Sequence, residues 1–244
     1  MRILGLCLLA LVSLIHGSSA RAEDLPAERS AAKAGLQPRQ LADRVVERFL
    51  KQEKLPVNYT NDLTLEALLV MFDVTGDRKY LEAVQEVMEK RKLPPGFVHP
   101  FKSQPFCCVS FELYLRTRDA RYVEPFLAES RKYVQEVPRS FDGAVTHYGD
   151  RQMGRILIDQ LQDYSSRMAK AGWLSSEDQF FKESAEQLGL FRAALRDPKT
   201  GLWGHGRGWF GDARHVTATP WGRGHAWHLI PSGVHTLHVR HVIP

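Results

Sequence analysis

The sequence predicts an all-α protein built from stacked helical hairpins. From Leu41 to about Arg196 the apolar residues recur with the 3.6-residue period of helices and lack the alternation of strands. Within this region a unit of helix, turn and helix repeats, with Tyr80 and Tyr122 at equivalent positions 42 residues apart. Such hairpins cannot bury their apolar faces alone, so we expect them to stack in a line or around a ring.

Three copies of the hairpin are visible. The first copy runs from Leu65 through a Thr-Gly-Asp turn into a second helix that ends near Lys90, and the second begins at Val109. A looser third copy begins at Ile156, with a turn predicted at Ala171-Gly172-Trp173. Three long loops, rich in Gly, Pro, His and aromatic residues, favour a ring over a linear stack, because a closed ring gathers its loops on one face. These loops are residues 94–105, 138–149 and 201–224.

The first 22 residues have the pattern of a secretory signal peptide. Arg2 precedes an apolar stretch at residues 3–15, and Ala20-Arg21-Ala22 forms a small-residue cleavage site. The stretch is shorter than the roughly 20 residues that a membrane-spanning helix needs. We therefore expect export, a secreted or periplasmic location, and no membrane association after cleavage. The remaining divisions are an N-terminal segment or linker (23–40), the helical domain (41–230) and an irregular tail (231–244).

Charge and cysteine content exclude some classes of function. Cleavage would remove two of the 33 basic residues and none of the 28 acidic ones, which leaves a formal charge of +3 and does not indicate nucleic-acid binding. Cys107 and Cys108 are neighbours and provide no disulfide framework, so we expect them to be structural. The histidines at 235, 238 and 241 lie in a segment without helical character, and we expect no metal site there.

The densest chemical signal lies in residues 196–209 and 221–227. Together they contain histidines, glycines that permit close approach of a ligand, four tryptophans whose faces stack on sugar rings, and arginines that bind carboxylates. This composition indicates a pocket for an acidic saccharide. A structural alternative is a Gly- and aromatic-rich turn that caps helices.

The order of motifs resembles glycoside hydrolase families 88 and 105, the unsaturated glucuronyl and rhamnogalacturonyl hydrolases. The pattern D-P-x-T-G-L-x-x-H appears as Asp197 to His205, and W-G-R-G-N-G-W is matched by residues 221–227. Upstream, residues 138–147 match a P-R-T-x-x-G-G-F-x-H loop, and residues 152–159 match a Q-M-W-x-D helix. The resemblance covers roughly residues 57–230.

This resemblance implies an (α/α)6 barrel, a six-hairpin toroid, and a glycoside hydrolase that needs no metal or organic cofactor. Its substrate is an oligosaccharide whose non-reducing uronic acid has a C4–C5 double bond. The matched acid, Asp159, protonates this vinyl ether and helps water to add at C5, after which the hemiketal opens. Apolar neighbours suit Asp159 to a raised pKa; alternatively, it is a buried helix–loop hydrogen bonder. The predicted substrate-binding residues are His147, His205, Trp209, Trp221, Arg223 and Trp227.

Two departures leave other functions open. No acidic residue lies between Arg91 and Ser110, and Lys102 falls where the family has a second Asp, a role that His99 could take. The chain also resembles the family only to about residue 230, so we expect a ring incomplete at its C-terminus, a truncated gene product, and weak or absent activity. The alternatives are a non-catalytic sugar-binding toroid and another toroid sugar enzyme, such as an epimerase or a hydrolase of saturated chains. The glycan and the oligomeric state stay open.

Signal cleavage has a direct test. Because the small-residue site ends at Ala22, the exported chain should begin at Glu23 or within a few residues of it. Mass spectrometry of the mature N-terminus measures this, and an intact Met1 on the exported protein would refute the assignment.

Overall fold

The computed structural model describes residues 35, 37–52, 59–91, 108–147, 150, 154–222, 224–226 and 229. The predicted signal peptide and the irregular tail lie outside these residues. The chain forms two compact units, Met1–Lys54 and Leu55–Pro244. The first contains α1 (Pro38–Leu50), which begins with a proline in its first turn and whose Gln40 side chain accepts the Gln37 backbone N–H at 2.9 Å.

The second unit consists mainly of helical hairpins. Its helices are α2 (Tyr59–Thr75), α3 (Arg78–Arg91), α4 (Val109–Thr117), α5 (Val123–Glu136), α6 (Ser166–Ser175) and α7 (Asp178–Leu195). A 3₁₀ turn (Ala120–Tyr122) precedes α5, and a π-helical turn (Leu161–Ser165) precedes α6. Strands β1 (Ile156–Leu157) and β2 (Gly206–Arg207) form an antiparallel pair. The all-α prediction is confirmed, and none of the described helices is both long and apolar enough to cross a membrane.

The three hairpin turns share one hydrogen-bonding pattern. In the first, the Thr75 hydroxyl donates to the Met71 carbonyl at 2.6 Å and accepts the Asp77 backbone N–H at 3.2 Å. Gly76 lies between them in the left-handed region, with φ of +69°. The same arrangement recurs at Thr117-Arg118-Asp119 and at Ser175-Ser176-Glu177. The hydroxyl satisfies carbonyl and N–H groups that a helix end would otherwise leave unpaired.

The predicted position of the third turn is wrong. Ala171, Gly172 and Trp173 lie inside α6, and the chain turns at Ser175 to Glu177 instead. Gly172 serves helix packing, because a Cβ at this position would lie 3.0 Å from the ring of Phe181 on α7. The glycine therefore marks a close contact between the two helices of the hairpin and not their connection.

The core of the second unit lies between the second and third hairpins. The Phe111 ring on α4 lies 6.0 Å from that of Phe126 on α5 and 5.8 Å from that of Trp173 on α6, between ring centroids. Cys108 is a buried thiol at the start of α4, as predicted, and burial raises its pKa. The fully buried aromatic and aliphatic side chains here include Phe111, Tyr164, Met168, Phe180 and Phe191.

Buried ion pairs join the hairpins to one another. Lys170 on α6 donates to Glu112 on α4 at 3.1 Å, and Arg167 on α6 donates to Glu129 on α5 at 3.0 Å. The Arg167 side chain is only 3% exposed, so losing its partner would leave a buried, uncompensated charge. These pairs therefore help to set how the second and third hairpins dock.

Asp163, in the π-helical turn, should make the stability of the fold depend on pH. Burial raises its pKa to about 7, helped by the nearby carboxylates of Glu129 and Asp62 and opposed by Arg167. Because the folded state holds this proton up to about pH 7 and the unfolded state releases it near pH 4, stability should fall as the pH rises through this window. Ionisation of Asp163 in the folded state therefore costs at most about 4 kcal/mol of stability.

Asp163→Asn removes this titration while keeping the shape of the side chain. Asp163→Asn should therefore gain stability relative to wild type as the pH rises from 5 to 8. The difference in free energy of unfolding is measured by denaturant titration followed by circular dichroism. Asp178→Asn, at the exposed start of α7, is the matched control. Equal pH dependence in wild type and Asp163→Asn would contradict the assignment.

Candidate active site

The short β1–β2 pair brings the catalytic candidate beside a histidine. Just after β1, the Ile158 N–H donates to the His205 carbonyl at 3.0 Å, so His205 enters β2 next to the start of the helical segment at Asp159. His205 Nε2 lies 3.5 Å from Asp159 Oδ2. The Asp159 side chain is 16% exposed, and that of His205 is 40% exposed. Both side chains thus lie near the surface of the unit, and the backbone hydrogen bond fixes the two segments that carry them.

Gly206 permits this approach. A Cβ at residue 206 would lie 2.5 Å from both the Ile156 carbonyl oxygen and the Leu157 side chain. No ordinary side chain fits at that separation, so the strands can pair here only because residue 206 is glycine. The glycine-rich sequence around His205 thus serves strand pairing.

Asp159 lies at the start of an irregular helix. Asp159 and Gln160 are helical, and the next turn, Leu161–Ser165, is π-helical before α6 begins. Ile158 and Leu161, which flank Asp159, are each only 1% exposed. Single π-helical turns occur frequently at functional sites, where the extra residue changes the direction of side chains.

The Trp221 ring packs against the His205 ring. Its ring centroid lies 4.2 Å from that of His205, at an interplanar angle of 44°. A Cβ at Gly224 would lie 2.7 Å from the Trp221 ring and 2.8 Å from Ile158, so this glycine lets the ring approach the segment that carries Asp159. The predicted Trp221 therefore belongs to the same group of residues as Asp159 and His205.

His225 stabilises the loop that carries Trp221. The Trp203 N–H donates to His225 Nε2 at 3.1 Å, so Nε2 is an acceptor and the ring hydrogen lies on Nδ1. Nδ1 in turn donates to the Trp221 carbonyl at 2.9 Å. Because both ring nitrogens bond to backbone groups, His225 connects the motif at residues 197–205 to the motif at residues 221–227.

His147 is oriented by Gln160. The Gln160 Oε1 accepts the Leu157 N–H at 2.9 Å, which leaves the amide nitrogen to face His147 Nδ1 at 2.9 Å. Nδ1 must then be the acceptor, so the neutral ring carries its hydrogen on Nε2. Burial lowers the pKa of His147 to about 4, which keeps the imidazole uncharged at neutral pH.

Trp209 packs between His147 and Arg155. Its ring centroid is 5.4 Å from that of His147, and the Arg155 guanidinium lies 5.0 Å from it. The indole N–H donates to the Ile156 carbonyl at 3.2 Å. Arg155 also binds Asp150 at 2.6 Å. Trp209 was predicted to bind substrate, and the structure shows it as a partly exposed ring braced by a cation.

Residues 155–160 anchor the whole group. The His147 N–H donates to the Arg155 carbonyl at 2.7 Å, and the Trp209 indole N–H donates to the Ile156 carbonyl. The His205 carbonyl accepts the Ile158 N–H. The structure thus brings together five of the predicted residues: His147, Asp159, His205, Trp209 and Trp221. Arg223 and Trp227 lie outside the described residues, and the described residues contain no group of three His, Cys, Asp or Glu side chains that could hold a metal ion.

Sequence reasoning missed Arg155, Gln160 and the structural role of His225. Arg155 and Gln160 flank the anchor segment but carry no pattern of their own, because their partners lie in other loops. Their position on either side of the Ile156–Asp159 run was the one available signal.

The fold is one that carbohydrate enzymes use. The chain matches a possible member of glycoside hydrolase family 105 from Klebsiella pneumoniae with a TM-score of 0.62 and 21% identity, covering 76% of this chain and 52% of that one. It matches an unsaturated glucuronyl hydrolase, responsible for glycosaminoglycan degradation, from Bacillus sp. GL1 with a TM-score of 0.55, 14% identity and coverage of 78% and 58%. An α-1,6-mannanase from a Salegentibacter species matches at 0.62, with 11% identity and coverage of 80% and 64%. The chain spans less than two thirds of each, and the likeness shows the (α/α)6 toroid fold.

The family follows from the sequence itself. Residues 33–233 match the profile of Glycosyl Hydrolase Family 88, and the chain belongs to this family. No curated protein matches the sequence significantly.

The tautomer of His147 can be tested through Gln160. In Gln160→Glu the carboxylate can no longer donate to Nδ1, so the ring should move its hydrogen to Nδ1 and its pKa should rise by at least about one unit. Nitrogen-15 NMR titration of the histidine ring measures both changes. Gln160→Met, which cannot hydrogen-bond but preserves burial, should keep the pKa of His147 low; a pKa unchanged in Gln160→Glu would contradict the arrangement.

Proposed function

We propose that this protein hydrates the C4–C5 double bond of an unsaturated uronic acid at the non-reducing end of an oligosaccharide and so releases that sugar. The observation that carries the proposal is the carboxyl–imidazole pair, with Asp159 Oδ2 and His205 Nε2 at 3.5 Å, inside the motifs of family 88. The Trp221 ring beside His205 supplies an aromatic face for a sugar.

In the first step Asp159 acts as the general acid. Its carboxyl proton goes to C4, the electron pair of the double bond forms the new C4–H bond, and positive charge develops at C5, shared with the ring oxygen. The Asp159 side chain is 16% exposed although its Oδ2 atom, which faces His205, is buried, so we assign the approach of substrate to the exposed part of the side chain. The buried neighbours Ile158 and Leu161 exclude water on the core side. A fixed carboxyl group that is shielded on one side suits directed proton transfer.

In the second step the resulting carboxylate acts as the general base. It takes a proton from the water that adds at C5, which gives a hemiketal and restores the acid form of Asp159. The C5 hemiketal then opens and leaves a hemiacetal at C1, which expels the rest of the saccharide as an alcohol. In this proposal His205, whose Nε2 lies 3.5 Å from Asp159 Oδ2, would help to keep the carboxylate oriented between the two steps.

Neutral and cationic donors would hold the substrate. The uncharged His147 ring, with its hydrogen on Nε2, offers hydrogen-bond chemistry to sugar hydroxyls that does not change between pH 5 and 8, because its pKa is about 4. We assign Arg223 to the uronate carboxylate by its place in the W-G-R-G motif. Export through the predicted signal peptide would place this activity where polysaccharide fragments occur, outside the cytoplasm.

A non-catalytic sugar-binding role is the second candidate. The absence of an acid between Arg91 and Ser110, where the family has a second Asp, favours it. The two candidates differ in one readout: a binding protein retains affinity for the unsaturated oligosaccharide but does not consume its double bond.

Replacement of Asp159 tests the proposed chemistry. Because an amide cannot deliver the proton, Asp159→Asn should lower turnover by about 10²- to 10⁴-fold while leaving the helical circular dichroism unchanged. The assay is the loss of ultraviolet absorbance of the conjugated double bond of an unsaturated disaccharide. Asp178→Asn, on an exposed helix start, should keep wild-type turnover. Wild-type rates in Asp159→Asn would disprove the role of Asp159, and calorimetric binding without any loss of absorbance in wild type would support the second candidate.

A further inference from the structure

His225 ties together two loops of the candidate site that are distant in the sequence. Its Nε2 accepts the Trp203 N–H at 3.1 Å, and its Nδ1 donates to the Trp221 carbonyl at 2.9 Å. The same carbonyl accepts the His225 backbone N–H at 3.2 Å, so the ring folds back over the turn that begins at Trp221. An isolated bridge between Gly204 and Pro220 holds the start of this turn, and His225 holds its other end.

The Trp203 N–H belongs to a firmly packed part of the fold. The Trp203 side chain is only 7% exposed. On either side of it, the Asp197 N–H donates to the Leu202 carbonyl and the Gly204 N–H donates to the Leu195 carbonyl, each at 2.8 Å. These bonds close residues 195–204 as a hairpin at the end of α7. The hairpin therefore fixes the direction of the Trp203 N–H, and the acceptor must be brought to it.

Only one form of the His225 ring can make both bonds. The uncharged ring with its hydrogen on Nδ1 has an acceptor at Nε2 and a donor at Nδ1, as the two partners require. A protonated ring carries N–H groups on both nitrogens, so its Nε2–H would face the Trp203 N–H, and two donors cannot bond to each other. Histidine is the side chain whose ordinary change of charge falls between pH 5 and 8. The bond to Trp203 is therefore made at neutral pH and lost as the pH falls.

The turn that His225 holds packs directly on the candidate site. The Trp221 ring lies 4.2 Å from that of His205, and a Cβ at Gly224 would lie 2.8 Å from Ile158. On the elements that meet at His225, the other charged or titratable side chains among the described residues are Asp159, Arg192, Arg196, Asp197, Lys199 and His205. His205 is the second imidazole at this junction, so a test must separate the effects of the two rings.

The motif departs from its family pattern at this residue. The pattern W-G-R-G-N-G-W has an asparagine where this chain has His225. An asparagine side chain does not titrate, and its amide ends near the place of Nδ1, short of the place of Nε2. The bond to the Trp203 N–H, and any response of that bond to pH, thus belong to the histidine.

We propose that His225 is a positioning residue that holds the Trp221 turn against the hairpin of residues 195–204 only while its ring is uncharged. The substrate-binding surface at Trp221 would then be assembled at neutral pH and loosened in mild acid. The inference rests on the proposed function, since that function assigns Trp221 and Arg223 to the substrate. His225 acts through the backbone of the turn that carries these residues.

The Trp203 amide reports the state of His225 without any substrate. Its hydrogen exchange, followed by NMR and corrected for the intrinsic effect of pH, should be about 3- to 10-fold less protected at pH 5.0 than at pH 7.5, as expected for the loss of one hydrogen bond. In His225→Gln an amide oxygen can take the place of Nε2 and does not titrate, so protection should be equal at the two pH values. His215→Asn, at an exposed histidine, should behave as the wild type.

Binding is measured by calorimetry on an Asp159→Asn background, which removes turnover and the titration of that carboxyl group. The probe is an unsaturated glucuronyl disaccharide. Between pH 7.5 and pH 5.0, affinity should fall by about 3- to 10-fold more in the protein with His225 than in the protein with His225→Gln. Because both proteins keep His205, the contribution of that ring cancels in the comparison.

The outcomes separate the two proposals. Equal pH dependence in the proteins with and without His225, whether of Trp203 protection or of binding, overturns the role of His225 and leaves the proposed function standing. If circular dichroism shows His225→Gln to be unfolded, the wild-type amide decides, because unchanged Trp203 protection at pH 5.0 overturns the role. Failure of the Asp159→Asn protein to bind the disaccharide at pH 7.5 contradicts the proposed function, and the Trp203 amide then decides the role of His225 alone.

Discussion

The candidate site depends on the close approach of two backbone segments, residues 156–158 and 205–206. The Ile158 N–H and the His205 carbonyl are 3.0 Å apart, and a Cβ on Gly206 would lie 2.5 Å from the Ile156 oxygen. This contact joins the hairpin that carries Asp159 to the glycine-rich loop that carries His205. A displacement of about 1 Å would separate the acid from its histidine, and positional errors of that size can reduce catalysis by about 10²-fold.

Charge is distributed differently on the two sides of Asp159. On the core side, Arg167 and Lys170 are buried with the carboxylates of Glu129 and Glu112, and Asp163 takes up a proton near neutral pH because of burial. These groups fix the packing of hairpins and are enclosed. On the open side, burial lowers the pKa of His147 to about 4, so this ring stays neutral across the neutral range.

The fold was predictable because its signals are local. The 3.6-residue period and the Thr75 and Thr117 turns each lie within one hairpin, and the structure confirms the helices that they predicted. The third turn was misplaced because Gly172 serves contact with Phe181, and a sequence does not distinguish a glycine that permits packing from one that permits a turn. The pairing of Asp159 with His205 was accessible only through the order of motifs. The contact of Gln160 with His147 joins a helix start to a loop with no shared pattern, and only the structure shows it.

The central claim is that Asp159 delivers a proton to C4 of an unsaturated uronic acid, so the most direct measurement follows that proton. Wild-type protein is incubated with an unsaturated oligosaccharide in heavy water, and the early products are analysed by proton NMR. The account predicts that each released saccharide is accompanied by an open-chain uronic acid with one deuterium at C4 and no C4–C5 double bond. Release of the saccharide without deuterium at C4 would instead show direct cleavage at C1 and would contradict the account.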